Sequence, residues 1–447
     1  MFDGPERQAH EQVFNIRMLK GISAVKREKS IMRDLQKRCI YFFLLVFLFY
    51  TCVIYGTPAL DLATLVNEAS QNNPEIKSAF ERWQAADAMI SQTKTLPDPA
   101  INFGYKNMSG QDSMYDREKM YGFSQEIPFP NKLYLRGQVA TSEAQSIKQD
   151  YFATRRQVIA QLKETYYELY LVTRSINIFT RNKLLLVNIE KTAKAHYAVG
   201  KSSQQDVFRA QTEVTRLISR LLMLKQERES LQAEINRILN RSQVEQIQIL
   251  LALPHRPLRH NLAELNARLT YASPHFLMRL KNVERNDRSV ALAKSEYLPD
   301  FEIELARSQR NENSLRENGY EGMLKVKIPL YFMTKQRQGV RGAVANRAAS
   351  QHDLRNIREY LLFRIKDNVL KIERANELIN LIKNILIPQA RFTFDSAKAS
   401  YSVGKVDFLT LLDSFLILQE NEIELHGEQV AYEKAMARLE EIVGDNP

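Results

Sequence analysis

Cysteine is almost missing from this chain. Its 447 residues include two, Cys39 and Cys52, and nothing after residue 52 carries a thiol. That excludes a disulfide framework, a thiolate zinc site and a cysteine nucleophile from most of the sequence. Glycine and proline are sparse as well, at 15 and 14, which excludes collagen-like and low-complexity chains. A charged fraction of 26% excludes a polytopic helical membrane protein. There is no Gly-rich phosphate loop, no Gly-x-Ser-x-Gly elbow and no His-Glu-x-x-His spacing. His196, His255, His260, His275, His352 and His426 are scattered. His255 and His260 flank a linker beside Arg256 and Arg259 and read as solvated loop residues. No catalytic residue, metal ligand set or cofactor is expected, so the chain is not read as an enzyme.

What is present begins with charge: 63 Lys and Arg against 52 Asp and Glu, a formal +11. Residues 40–56 form the one long apolar run, with Arg33, Lys37 and Arg38 before it and Gly56, Thr57 and Ala59 after it. A basic stretch, an apolar stretch and a small-residue exit read as a secretory signal cleaved after Ala59, so 1–59 is a leader. Met32 would start a signal of ordinary length, and 1–31 is expected to precede the true start. Phe49-Tyr50-Thr51 before Cys52 is too bulky for a lipoprotein cleavage site. The competing reading is an uncleaved anchor over 40–60, just long enough for a bilayer at ~20 residues. Cleavage leaves 54 basic against 47 acidic residues, +7 over 388 residues. No run of five like charges remains, so no nucleic-acid partner is expected.

The mature chain is one unit written twice. Asn73-Pro74 recurs as Ser273-Pro274, Leu96-Pro97-Asp98 as Leu298-Pro299-Asp300, Ile127-Pro128 as Ile328-Pro329, and Tyr197-x-Val-Gly-Lys201 as Tyr401-x-Val-Gly-Lys405. The offsets are 200, 202, 201 and 204, so the landmarks keep register. The repeats span 60–240 and 262–447, joined by a linker at 241–261 that holds Pro254 and Pro257.

Each half reads as helix, strand pair, very long helix, turn, long helix. In the first half 62–93 is helical, with Asn73-Pro74 opening its main segment. Strands are predicted at 99–107 and 118–128 around the loop Ser109–Ser113, and at 300–308 and 320–329. Between 132 and 197 the only helix breaker is Gly137. A helix of that length approaches ~100 Å at ~1.5 Å per residue and needs lateral partners. After the turns near 200 and 404, apolar residues recur at alternating spacings of three and four. Val207, Ala210, Val214, Leu217, Leu221 and Leu224 do so in the first half, and Phe408, Leu411, Phe415 and Leu418 in the second. That is a coiled-coil seam, equally compatible with a soluble helical bundle.

The strand pairs bear on that choice. Phe301, Ile303 and Leu305 alternate with Glu302 and Glu304, Leu324 and Val326 with Lys325 and Lys327, and Ile101, Phe103 and Tyr105 with Asn102 and Gly104. Segments of ~10 residues with this period suit a transmembrane barrel strand, apolar toward lipid and polar toward water. Four strands among such long helices need other chains to complete a sheet.

Across nearly all of 60–447 the chain resembles the outer-membrane efflux proteins of the TolC type. The residues that carry the resemblance are the duplicated layout, Leu96-Pro-Asp-Pro99, Gln125-Glu-Ile-Pro-Phe-Pro-Asn-Lys-Leu133 and the two Tyr-x-Val-Gly turns. The Leu-Pro-Asp-Pro entry is most similar to the heavy-metal branch. The resemblance implies a mainly α chain with a small β part, and a homotrimer whose long helical hairpins form a periplasmic α-barrel. Four strands per protomer would build a shared twelve-stranded outer-membrane β-barrel. It implies a passive exit duct fed by an inner-membrane pump of the RND type through a periplasmic adaptor, in a Gram-negative outer membrane. The rival is an inner-membrane-anchored periplasmic coiled-coil scaffold.

Site residues follow from the same resemblance. The turns at Gly200 and Gly404, with exposed Lys201 and Lys405, would be the periplasmic tips that dock the adaptor. Tyr401 would hydrogen-bond Asp206 and hold the entrance closed. An Arg–Asp latch found in some members falls on Val406 and Gln205, so it is lacking here. Asp413 matches a pore-lining acidic ring, and the second ring position is Thr410. Three carboxylates around one axis would attract cations and raise one another's pKa.

Overall fold

The computed structural model describes residues 61–110, 113–247, 253, 256–312 and 315–444. The leader 1–59, the apolar segment 40–60 with its two cysteines, Gln111 and Asp112, and Pro254 and His255 of the linker lie outside the described residues.

The first repeat opens with α1 (Leu62–Asn72) and α2 (Pro74–Lys94). The sequence predicts one helical stretch here, and Asn73 divides it. With φ −63° and ψ 126° it is extended, and its Oδ1 accepts from the Glu75 and Ile76 amides at 2.9 and 3.1 Å. Pro74 follows at the first helical position, where its missing N–H costs nothing. The Asn73 amide also donates to the Ile238 carbonyl at 2.8 Å, tying this break to a distant helix end. β1 (Ala100–Gly110) and β2 (Ser113–Ile127) come next. Then α3 (Pro130–Ala198) runs 69 residues, ~100 Å at ~1.5 Å per residue, and α4 (Gln204–Leu239) returns along it.

The second repeat copies this order: α5 (Leu262–Ala272), α6 (Pro274–Ser295), β3 (Asp300–Glu312), β4 (Leu315–Lys327), α7 (Arg337–Leu381), α8 (Ile387–Ser402) and α9 (Phe408–Val443). A single π-helical turn at Ile382–Leu386 joins α7 to α8, closed by Ile387 N–H onto the Ile382 carbonyl. It ends two residues before Pro388, whose ring would clash with a carbonyl of a regular α-turn. The wider turn absorbs that clash and keeps the helix running. A second π turn, Phe332–Gln336, opens α7 where the second repeat holds two more residues between proline and lysine than the first.

The strands form one antiparallel sheet in the order β1-β2-β3-β4. Each runs a few residues further toward its loop than the alternation predicts. β2 and β3 belong to different repeats yet pair from Ile127 with Phe301 to Arg117 with Asn311. Those registers put Ile101, Phe103, Phe123, Phe301, Ile303, Leu305, Leu324 and Val326 on one face. Glu302, Glu304, Lys325 and Lys327 share the other.

Packing follows the predicted seams. Val207, Ala210, Leu217 and Leu224 are buried with Phe408, Leu411 and Phe415 in one apolar cluster at the turn end. Two further clusters lie along the helices, around Leu162 and Tyr166 and around Leu361 and Met436. Where the second seam is broken by a charge, at Glu422, the carboxylate takes Arg181 from α3 and Arg391 from α8.

Candidate functional site

The two tip turns have the same backbone. Gly200 and Gly404 stand at φ 73° and 75°, the left-handed region where a side chain is strained. At the first, Gly200 N–H bonds the Tyr197 carbonyl at 3.0 Å and Lys201 N–H bonds the His196 carbonyl at 2.8 Å. At the second, Gly404 N–H bonds Tyr401 at 3.0 Å and Lys405 N–H bonds Ser400 at 2.9 Å. Each helix therefore ends in a Schellman motif, which satisfies its last carbonyls and reverses the chain. Lys201 and Lys405 are exposed beside them.

The return helices are capped by different chemistry. Ser203 Oγ accepts from Asp206 N–H and the Asp206 carboxylate accepts from Ser203 N–H at 3.2 Å, a reciprocal capping box. In the second repeat Asp407 caps through Thr410 N–H at 3.1 Å and also takes the Thr410 hydroxyl.

Tyr401 lies inside the tip, 4% exposed, with its ring 4.9 Å from His196 and 6.0 Å from Phe408. It thus packs α8 against both the end of α3 and the start of α9. The hydrogen bond to Asp206 that the resemblance implies is not made: the Tyr401 hydroxyl is buried without a partner, and the Asp206 carboxylate is engaged in its own cap. Burial, and then the nearby Asp206 charge, push the Tyr401 phenol above its ordinary pKa. Val406 packs onto the tip cluster and Gln205 is exposed, so neither forms a charged contact there. Asp413 is exposed between buried Leu412 and Ser414.

At the other end, the polar face of the sheet is an ionic ladder. Lys327 lies 3.1 Å from Glu126 and 3.6 Å from Glu302, and Lys325 is 3.6 Å from Glu302 and also pairs Glu304. The apolar face is open to the surroundings, with Ile101 69% and Phe103 76% exposed. Among the described residues no helix is long and apolar enough to cross a membrane, and no three His, Cys, Asp or Glu side chains gather into a metal-sized cluster.

Two arrangements escape reasoning from sequence. Lys132 is almost fully buried, and its Nζ donates to the Leu298 carbonyl at 2.9 Å and to Asp300 at 3.0 Å. Both residues sit in motifs visible in the sequence, but nothing there says that the motifs meet. Arg256, a linker residue beside two loop histidines, reaches Glu433 and Glu440 at 3.1 Å each and the Tyr167 hydroxyl at 3.3 Å. Burial pushes the Glu433 carboxyl above its usual range, against the pull of Arg256.

The sequence model of the outer membrane efflux protein family matches residues 65–241 and again 269–445. The chain belongs to that family. It is 20% identical over 396 residues to the cobalt-zinc-cadmium resistance protein CzcC of Cupriavidus metallidurans, covering 86% of this chain and 90% of that protein. To the outer membrane protein TolC of Vibrio cholerae it is 20% identical over 415 residues, covering 86% and 91%. A solved structure of CusC superposes with a TM-score of 0.74 at 15% identity, over 86% of this chain and 92% of that one. As a member of the family the chain is an outer-membrane efflux protein, an exit duct of the Gram-negative outer membrane with its helices in the periplasm. The inner-membrane scaffold reading falls away.

Proposed function

We propose that three copies of this efflux protein close into one passive duct. Each gives four strands to a shared twelve-stranded barrel and its long helices to a periplasmic tunnel. The unfinished sheet carries this reading. Four strands cannot close a barrel, for which ~8 are the practical minimum. Within the chain β1 and β4 keep open edges. The apolar face suits outer-membrane lipid, and the ladder of Glu126, Glu302, Glu304, Lys325 and Lys327 suits a water-filled lumen. Passage through such a duct makes and breaks no bond, so no residue has a catalytic role and no cofactor is needed.

The driving force comes from an inner-membrane pump of the RND type, reached through a periplasmic adaptor. The adaptor docks on the tips at Gly200-Lys201 and Gly404-Lys405. Val199 and Val403, each 67% exposed in equivalent places, support that assignment, since paired apolar knobs at a rigid turn suit a docking partner. Tyr401 and Asp206 belong to the gate, with their hydrogen bond forming only in the assembled closed tip. Asp413 supplies one acidic ring, single because the second ring position is Thr410, which carries no carboxylate. A metal cation is the favoured cargo class, by likeness to a relative named for cobalt, zinc and cadmium resistance. This chain offers few soft ligands, so selection among cations falls to the pump.

Purified protein in detergent, sized by light scattering and then fused into planar bilayers, tests the reading. A mass of three chains and a stepwise conductance are expected. A monomer that conducts nothing would overturn it.

A further inference from the structure

We propose that the outer rim of the sheet's apolar face binds the phosphorylated headgroup of an outer-leaflet glycolipid. Arg307 and Lys119 clamp the phosphate, and the apolar band beneath them meets the acyl chains. This rests on the channel reading above and names a lipid site on its barrel wall.

The two faces of the sheet segregate charge. Every Asp and Glu in the strand registers, Glu118, Glu126, Glu302, Glu304, Glu317 and Glu321 among them, takes the parity of the polar face. The basic residues do not follow. Lys106, Lys325 and Lys327 share the parity of the carboxylates, but Lys119 and Arg307 take the opposite one, with Ile101, Phe123 and Leu305. Arg117 and Arg316 occupy further registers of that same parity. Among the described residues, the face assigned to lipid therefore holds cations and no anion.

Their height on the strands puts these cations at a rim. Arg307 follows Phe301 by six residues, ~20 Å of strand at ~3.3 Å per residue. The apolar band of a membrane barrel is ~25 Å tall and is bordered by aromatic residues. Arg307 lies level with Phe103, Tyr121 and Tyr320, and Lys119 lies level with Tyr105 one step further out. The strands leave the helices at Ala100 and Ile127, so this aromatic border is on the side away from the periplasm. A lipid-facing cation is costly at mid-bilayer and nearly free at the interface. Position and charge thus agree on the outer leaflet.

The two side chains are placed to share one anion. Tyr121 is opposite Arg307 and Lys119 is two residues from Tyr121, so Arg307 and Lys119 are diagonal neighbours, ~7 Å apart at Cβ. The Arg307 guanidinium lies over the Tyr320 ring at 5.8 Å and donates to Asn318 Oδ1 at 3.3 Å, an oxygen that also accepts from Gln309 Nε2 at 3.4 Å. It is held in place with N–H groups to spare for a bidentate phosphate contact. Both cations are exposed, and neither meets a carboxylate among the described residues. On the polar face, by contrast, Lys325 and Lys327 are matched by Glu304, Glu126 and Glu302. Two unmatched cations this close call for an anion from outside the chain. The phosphates of the outer-leaflet glycolipid supply it, above acyl chains that suit Leu305 and Phe123.

The test titrates the full-length protein in detergent with lipid A in mixed micelles and reads bound lipid by native mass spectrometry. Arg307→Gln with Lys119→Gln should weaken binding at least ten-fold. Arg307→Lys with Lys119→Arg keeps both charges and should retain most of it. Lys106→Gln with Lys325→Gln removes as much charge from the polar face and should change binding less than two-fold. Lipid A stripped of its phosphates should bind the parent no better than intact lipid A binds the Gln variant. Conductance in planar bilayers checks that each variant is folded. Equal binding by the parent and the Gln variant, or an equal loss in the polar-face control, would overturn the site. Displacement of the lipid by inorganic phosphate in excess would overturn its assignment to a lipid headgroup. Any of these failures, in a protein that sizes as a trimer and conducts, would leave the channel reading standing. A monomer that conducts nothing would remove both.

Discussion

Lys132 Nζ and the Asp300 carboxylate, 168 residues apart in the chain, meet at 2.9 Å where the helices hand over to the sheet. The lysine side chain is 2% exposed, and Asp300 also accepts the Phe129 amide at 2.9 Å. One carboxylate thus fixes the start of α3 against the start of β3. Removing the cation strands a half-buried carboxylate and the Leu298 carbonyl, so Lys132→Met should cost about 3 kcal/mol. Asp300→Asn keeps a neutral acceptor and should cost less, about 1–2 kcal/mol. Thermal unfolding followed by circular dichroism measures both. Equal, small losses would show that the junction is held by strand pairing alone.

Asn73 does two jobs at the break between α1 and α2: it caps α2 and its amide reaches the Ile238 carbonyl at 2.8 Å. Asn73→Ala should cost about 2 kcal/mol, and Asn73→Ser, which retains the cap, about half that. The second repeat supplies a control. Ser273 occupies the equivalent place, but its hydroxyl caps nothing and has no partner. Ser273→Ala should therefore be nearly neutral. Denaturant midpoints separate the three variants.

Much of this fold is legible in the sequence, because its strongest signals are local or repeated. The unbroken run from 132 to 197 announces α3, period-two alternation announces the strands, and two Gly residues mark the tips. What stays hidden is pairing at long range. Glu422 reads as a flaw in an apolar seam, since nothing local says that Arg181 and Arg391 will close on it. Arg256 lies in the linker, and nothing local says that Glu433 and Glu440 will meet it from α9. The gate is harder still. Tyr401 lies near Asp206, yet nothing in the residue pattern around the tip says that the Asp206 carboxylate turns to its own Ser203 cap and leaves the phenol without it.

The tips allow a backbone effect to be isolated. A Cβ added at Gly200 or Gly404 would meet nothing within 4 Å, so only the left-handed conformation opposes a side chain. Gly200→Ala and Gly404→Ala should each cost about 1 kcal/mol, with Asn at either position costing less. The double variant should lose about the sum, provided that the two turns unfold independently. Chemical denaturation reads this directly, and a near-zero loss would mean the turns relax to another shape.

At the gate the unpartnered Tyr401 hydroxyl makes stability and conductance diverge. Tyr401→Phe removes an oxygen that bonds to nothing here, so the isolated fold should be unaffected or slightly stabilised. Asp206→Ala opens the Ser203–Asp206 capping box and should cost about 1 kcal/mol. On the gate proposed above, the two substitutions together remove the closing bond and should raise the conductance of the reconstituted channel. Unchanged conductance in the double variant would remove these residues from the gate.

His426 gives the helical part of the chain a pH dependence whose sign follows from burial. It is partly buried on α9, its Nδ1 3.0 Å from Gln429 and its ring edge-on to Tyr170 at 6.0 Å. Burial lowers its pKa below the ordinary 6.5, and nearby Arg174 lowers it further, while Gln429 and Glu422 pull the other way. The unfolded chain therefore takes up the proton first. Stability from the neutral ring is fully present above about pH 6.5 and is lost as pH falls through that value toward the depressed folded pKa. His426→Gln cannot titrate and should flatten the pH profile of thermal stability between about pH 7 and 5, with little change at about pH 8. A variant whose melting temperature falls with pH as steeply as the parent's would show that the acid sensitivity arises elsewhere.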